Sequence, residues 1–224
     1  MSSKVSAAPV AILLPLAVIP WYLKLTEYEK RHNLLPLLRN LVLGAVAAFL
    51  VFRIFQPYAF AGPGFFNISL NDKWVTNLQE LSGQTSGTAD FPPALQWARR
   101  PATFALENMV RWGMGIPLGV LSWAGFIFMA WRMIKKDWAK HLVIWLWTAL
   151  YFGWQSQTWN PSMRYMVLVY PTLIIMASWL IFHLWDKGRE NNHPRIYKTI
   201  SISLAFIAVI ASGLWAFAFT RIYT

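Results

Sequence analysis

Six runs free of Asp, Glu, Lys and Arg constrain this chain most: Ala7–Leu23, Asn40–Phe52, Trp112–Trp131, Leu142–Trp159, Tyr165–Trp185 and Thr199–Thr220. The hydrocarbon core of a bilayer takes about 20 apolar residues in helical form, and a run of about 18 is already a candidate span. Five of the six reach or approach that length. Asn40–Phe52 is shorter and must recruit Leu34–Leu38 on one side and Ile54–Phe55 on the other. Arg39 and Arg53 then snorkel to the headgroups from its two ends. The expected fold is all-α, a polytopic membrane protein of about six transmembrane helices. Residues 1–224 are expected to form a single integral membrane domain, with residues 55–111 as an extracytoplasmic loop containing two short interfacial helices.

Composition agrees with the runs. The chain is 57% hydrophobic and only 13% charged, about half the charged fraction of an ordinary soluble domain. Its net charge of +11 would suggest nucleic acid in a soluble protein. Here the basic residues lie in loops, where they set topology and meet anionic headgroups, so membrane lipids and no nucleic acid are the expected partners. The absence of cysteine excludes disulfides and thiolate metal sites.

The basic residues also orient the chain. Lys24, Lys30, Arg31 and Arg39 separate the first two runs. Arg132, Lys135, Lys136 and Lys140 separate the third and fourth, and Lys187, Arg189, Arg195 and Lys198 the fifth and sixth. These three loops are expected to be cytoplasmic in a multi-pass plasma-membrane protein. Gln56–Arg111, Ser156–Arg164 and both termini then lie outside. An outside start with a minimal tail fits the back part of a longer polytopic protein, so a missing N-terminal membrane portion is expected.

The long outer segment divides further. Gln56–Phe66, QPYAFAGPGFF, cannot form a regular helix across Gly62-Pro63-Gly64. Its aromatic residues Tyr58, Phe60, Phe65 and Phe66 are expected at headgroup level. A helix over Asn71–Leu81 follows, capped by Ser69 or Asn71 and ended by Gly83. Pro92-Pro93 opens an amphipathic helix, Ala94–Arg111, broken at Pro101. Pro15 and Pro20 in the first run and Pro171 in the fifth read as membrane-helix kinks. Gly113, Gly115 and Gly119 read as small residues for close helix approach.

The sequence contains no phosphate-binding loop, no HExxH and no dinucleotide fingerprint. His32, His141, His183 and His193 are scattered and form no metal constellation; no cofactor is expected, and the sequence leaves a divalent metal open. Arg53, Arg99, Arg100, Arg111 and Arg164 fall on the less basic side, against the topological bias. Guanidinium recognises phosphate in a planar, bidentate way, and anionic lipid is the simplest such ligand. The competing role is pairing with an acid, as Glu107 and Arg111 at i, i+4 allow. Arg164, with Arg99 and Arg100, is the candidate lipid-phosphate group. Trp159, Asn160 and Tyr165 are the candidate contacts to a sugar or headgroup. Asp72, Asp90 and Glu107 are the candidate acids, and Asp90 is the fallback general base because a helix start or an Arg neighbour lowers the basicity of the other two.

Two stretches carry a resemblance. RIFQPYAFAGPGFF, with NDKWVTNLQEL and FPPALQWARR after it, and WGMGIPLGVLSWAG with WQSQTWNPSMRYMVLVYP, resemble the phospholipid-carrier-dependent glycosyltransferases of the GT-C superfamily. The resemblance is to protein O-mannosyltransferase-like enzymes of the Chloroflexi type, in their C-terminal part, over about Arg53–Trp185. MRYMVLVYP resembles the Arg-Tyr-x-x-x-x-Tyr-Pro element that opens a late helix in such enzymes. The resemblance implies transfer of a hexose from a polyprenyl-phosphate-linked donor on the extracytoplasmic side. It also implies a carboxylate base in an early outer loop. The first loop here, Lys24–Arg39, is cytoplasmic by charge, so the catalytic acidic loop is expected to be absent. The alternative is a non-catalytic membrane subunit or a transporter that binds an anionic lipid carrier.

Overall fold

A computed structural model of the chain describes residues 8–62, 64, 66–88, 92–135, 138–190 and 194–221. Among them the structure is all-α, with one isolated antiparallel bridge, Phe60–Leu70, and no strand. Eight α-helices follow in chain order: α1 (Leu13–Leu23), α2 (Glu27–Phe55), α3 (Asp72–Ser86), α4 (Phe104–Asn108), α5 (Ile116–Lys135), α6 (Trp138–Gln157), α7 (Tyr170–Glu190) and α8 (Pro194–Thr220). The chain divides into two compact units: residues 1–98 with 158–160, and residues 99–157 with 161–224.

In the first unit, α1 continues a 3-10 turn, Ala8–Ile12, and holds Pro20 in its interior. A turn at Lys24–Thr26 leads into α2, where Thr26 and Glu29 form a reciprocal capping box. The Thr26 amide donates to the Glu29 carboxylate at 2.8 Å, and the Glu29 amide donates to the Thr26 hydroxyl at 3.3 Å. The expected basic loop Lys24–Arg39 is thus mostly helix, with Lys30, Arg31 and Arg39 riding on α2. At 29 residues, α2 is about 44 Å long. That exceeds the roughly 30 Å hydrocarbon core, so its capped and charged first turns extend past the apolar stretch.

Beyond α2 the chain makes a short 3-10 turn, Pro57–Ala59, and then doubles back. The Ala61 amide donates to the Ser69 carbonyl at 2.8 Å and the Asn71 amide to the Ala59 carbonyl at 2.9 Å. Phe60, expected at headgroup level, is instead buried, with its ring 5.8 Å from Phe52 and 6.0 Å from Phe49. Tyr58 and Phe66 are exposed, and Phe65 lies outside the described residues. Helix α3 begins where predicted, capped by the Asn71 side chain, but runs on through Gly83. A glycine costs a helix only about 1 kcal/mol relative to alanine. The helix ends instead at Gly87, which takes the left-handed conformation common at helix C-termini, with φ 80°.

The amphipathic helix expected over Ala94–Arg111, with its break at Pro101, is three pieces: a 3-10 segment Pro92–Trp97 in the first unit, then α4 and a π-helical turn Met109–Gly113 in the second. Pro101 forbids helical geometry at Arg100, which separates the first piece from the rest.

The second unit is built on α5–α8. Helix α7 packs most extensively against α5 and α8, and α6 lies mainly against α5. Leu121, Ala177 and Ala208, one from each of α5, α7 and α8, form the buried centre. A Cβ on Gly125 would stand 2.5 Å from the Met176 carbonyl oxygen, so the α5–α7 approach requires glycine there. Thr148 of α6 and Thr172 of α7 share a hydrogen bond of 2.7 Å.

Three described helices, α2, α5 and α8, are long and apolar enough to cross a membrane. The count of six read from the runs is higher, for local reasons. The first run yields only a short apolar helix, Pro9–Leu23. In the fifth run the first residues fold as a 3-10 turn, Met163–Leu168, so α7 starts at Tyr170 and soon meets Asp186 and Lys187. Helix α6 ends at Gln157 rather than Trp159 and opens with Lys140 and His141 in its first turns.

Candidate functional site

The MRYMVL segment, Met163–Leu168, is a 3-10 helix. Its three residues per turn put every third side chain on one side. Met166 and Val169 face inward and are buried, whereas Arg164 and Val167 are exposed. Helix α6 fixes the segment. The Tyr151 hydroxyl donates to the Tyr165 carbonyl at 3.1 Å, and the Trp147 indole donates to the Leu168 carbonyl at 3.4 Å. The Arg164 guanidinium donates to the Tyr165 hydroxyl at 3.3 Å and lies 5.1 Å from the centre of that ring. Both contacts leave its charge uncompensated, and no carboxylate pairs with Arg164 among the described residues.

Arg99 and Arg100 sit in the turn ahead of Pro101. Arg99 is exposed, while Arg100 is partly buried and engaged by another residue. Neither is bonded to Arg164. Trp159 and Asn160 belong to the first unit. There the Trp159 amide donates to the Thr85 carbonyl at 2.9 Å, and a Cβ on Gly87 would stand 3.0 Å from the indole. Asn160 is only 8% exposed, and its Oδ1 is buried without a hydrogen-bond partner among the described residues.

Of the remaining cations expected on the outer side, Arg53 is structural. It is 5% exposed, donates to the Gly64 carbonyl at 2.6 Å and the Pro57 carbonyl at 3.4 Å, and lies 4.5 Å over the Phe60 ring. It therefore holds the doubled-back loop together and is not presented to a ligand. Arg111 reaches Glu107 at 3.9 Å, the i, i+4 pair anticipated from spacing. Glu107 also accepts from the Thr103 hydroxyl at 2.6 Å, so its carboxylate is engaged twice. Asp72 occupies the first turn of α3. Asp90 lies outside the described residues. Glu80, exposed on α3, is a further acid of this segment that the sequence reading passed over. Its signal was merely its presence in NLQEL.

Among the described residues no group of three His, Asp or Glu side chains is placed to hold a metal ion. His141 and His183 join a ring cluster on Trp179, at 4.8 and 5.6 Å, and His183 also meets Phe128 at 5.1 Å. His32 stacks on Tyr28, and His193 lies outside the described residues. Protein-family models, curated proteins and solved structures were compared with the chain, and none matches it.

Proposed function

We propose that this chain is the membrane portion of a lipid-linked glycosyl transfer system and binds the phosphate of a polyprenyl-linked sugar donor through Arg164. The observation that carries this reading is an exposed guanidinium, held by a neighbouring tyrosine, with no carboxylate to neutralise it among the described residues. A positively charged group kept in place but unpaired suits an anionic headgroup, whose oxygens accept from guanidinium in bidentate fashion. The GT-C-like MRYMVLVYP string supports the same reading, because it is the 3-10 turn that presents Arg164. In this proposal the six apolar runs all lie in or along the bilayer, the three Lys/Arg-rich loops are cytoplasmic, and Arg164 faces the extracytoplasmic side with residues 56–111. Arg99 is the second phosphate contact, and Tyr165 stacks on the sugar or headgroup.

The engagement of Glu107 by Arg111 and Thr103 favours a second reading, carrier binding without chemistry, in a non-catalytic subunit or a transporter. Inverting transfer needs a carboxylate within about 2.6–3.2 Å of the acceptor hydroxyl to take its proton as the glycosidic bond forms. Both readings share the phosphate site. The test is binding of a polyprenyl phosphate to the purified chain in lipid nanodiscs. Arg164→Ala is expected to lose about 1.5–3 kcal/mol of binding, the worth of a charge-assisted contact. Arg164→Lys should recover only part of it, since ammonium lacks the planar fork. Wild-type affinity in Arg164→Ala removes the proposal.

A further inference from the structure

A cavity of about 450 Å³ opens between the last turns of α5 and α7. Phe128, Trp131 and Arg132 line it from α5, at i, i+3 and i+4. His183, Asp186, Lys187 and Glu190 line it from α7, at i, i+3, i+4 and i+7. Such spacing puts each set on one helix face. A Cβ on Gly125 would meet Met176 and Ala177, and the Phe128 ring meets Trp179 and His183, so the two helices run in the same direction and end together. The volume is that of a small-ligand site.

The floor is aromatic: the Phe128 ring stands 5.4 Å from Trp131 and 5.5 Å from Trp179. The rim carries both signs of charge. Lys187 is exposed, with its ammonium 5.6 Å over the Tyr197 ring, which holds the group without neutralising it. Arg132 is partly buried and engaged by another residue. Glu190 is exposed and forms no hydrogen bond or ion pair among the described residues. Asp186 reaches Arg189 at 3.8 Å, an exposed pair of the kind worth little, which a ligand can share. Asp186 and Glu190 are one helical turn apart, about 5–6 Å between Cβ atoms, so a single ammonium between them meets both carboxylates.

Depth, charge and hydrogen bonding select the occupant. The cavity lies where the uncharged runs of α5 and α7 stop, at Trp131 and Trp185, and tryptophan at such an edge marks the headgroup level of a bilayer. Lipid headgroups are the ligands present at that depth. The two carboxylates disfavour a purely anionic headgroup and the two cations a purely cationic one, whereas a zwitterion satisfies both. Carboxylates accept hydrogen bonds, which a primary ammonium donates and a quaternary one cannot. We propose that this cavity binds the headgroup of phosphatidylethanolamine, with the phosphate toward Arg132 and Lys187 and the ammonium between Asp186 and Glu190. The site lies at the far end of α7 from Arg164 and does not rest on the carrier reading.

The test is lipid retention by the full chain in detergent, read by native mass spectrometry. The probes are phosphatidylethanolamine, phosphatidylcholine and phosphatidylglycerol with identical acyl chains. Phosphatidylethanolamine should be retained about tenfold better than either of the others, a difference well resolved on the affinity scale. Asp186→Asn combined with Glu190→Gln should erase its advantage over phosphatidylglycerol. Glu190→Lys, a change at an exposed position, should turn the preference toward phosphatidylglycerol, a gain that misfolding cannot imitate. Equal retention of the three lipids by the wild-type chain overturns the inference, as does a preference for either competitor. So does an advantage of phosphatidylethanolamine that persists in both variants. Soluble glycerophosphoethanolamine separates the two sources of the same chemistry. It should displace the lipid only at about a hundredfold higher concentration than phosphatidylethanolamine itself, the difference being the membrane-level apolar contacts it lacks. Displacement at matched concentration would make this a site for a soluble phosphoamine and overturn the lipid assignment.

Discussion

At Arg53 a guanidinium surrenders its water to two backbone carbonyls and a phenyl ring, whereas at Arg164 it stays in the open beside a tyrosine. Loss of each should therefore register in a different experiment. Arg53→Ala leaves the Gly64 and Pro57 carbonyls without their charged donor, so we expect it to cost about 1.5–3 kcal/mol of stability. Arg164→Ala, at an exposed position, should stay within about 0.5 kcal/mol of wild type. Thermal unfolding in detergent separates the two, and equal stability losses would show that the Arg53 contacts do not hold the loop. Charge bias in the sequence placed both residues in one phosphate-seeking group. Nothing in the local string distinguishes them, because the carbonyls that satisfy Arg53 come from residues beyond the helix, on a loop whose doubling back depends on the Phe60–Leu70 bridge.

Elements were legible where they depend on local chemistry. The α3 start at Asn71 was readable because a short polar side chain before an acidic first turn is a complete local signal. The Thr26–Glu29 spacing is equally local, but attention to uncharged runs passes over it, and with it the length of α2. The opening of the fifth run was misread because composition is blind to the difference between a 3-10 turn and an α-helix. Only the inward packing of Met166 and Val169 marks it. The α5–α7 contact illustrates a tertiary requirement: of the glycines singled out by spacing, a Cβ on Gly119 would meet the Val110 backbone at 2.8 Å and one on Gly113 would meet Tyr170, while Gly125, which spacing did not single out, meets the Met176 backbone. Gly125→Ala should cost about 1–3 kcal/mol by overpacking, measured as a lowered midpoint of unfolding. Gly213, which meets nothing within 4 Å, is the control and should tolerate alanine. Equal tolerance at both sites would show that α5 and α7 do not approach so closely.

For the whole molecule, an all-α chain with helices fit to cross a membrane was plain from the runs, since they reflect bilayer thickness rather than any particular packing. Exposure within the candidate site was not legible in the sequence: Arg164 is exposed and pairs with no carboxylate among the described residues, while Asn160 is buried and Arg100 is engaged by another residue. Whether Arg164 can meet an extracytoplasmic carrier depends on which side of the membrane it occupies. The chain has no native cysteine, so single cysteines report that side without background. Ser162→Cys, beside Arg164, and Ser86→Cys, at the end of α3, should react with a membrane-impermeant maleimide in intact cells. Asn191→Cys, in the sequence joining α7 to α8, should react only after permeabilisation. The opposite pattern, with Ser162→Cys shielded and Asn191→Cys labelled from outside, would put Arg164 on the wrong face and contradict carrier binding there.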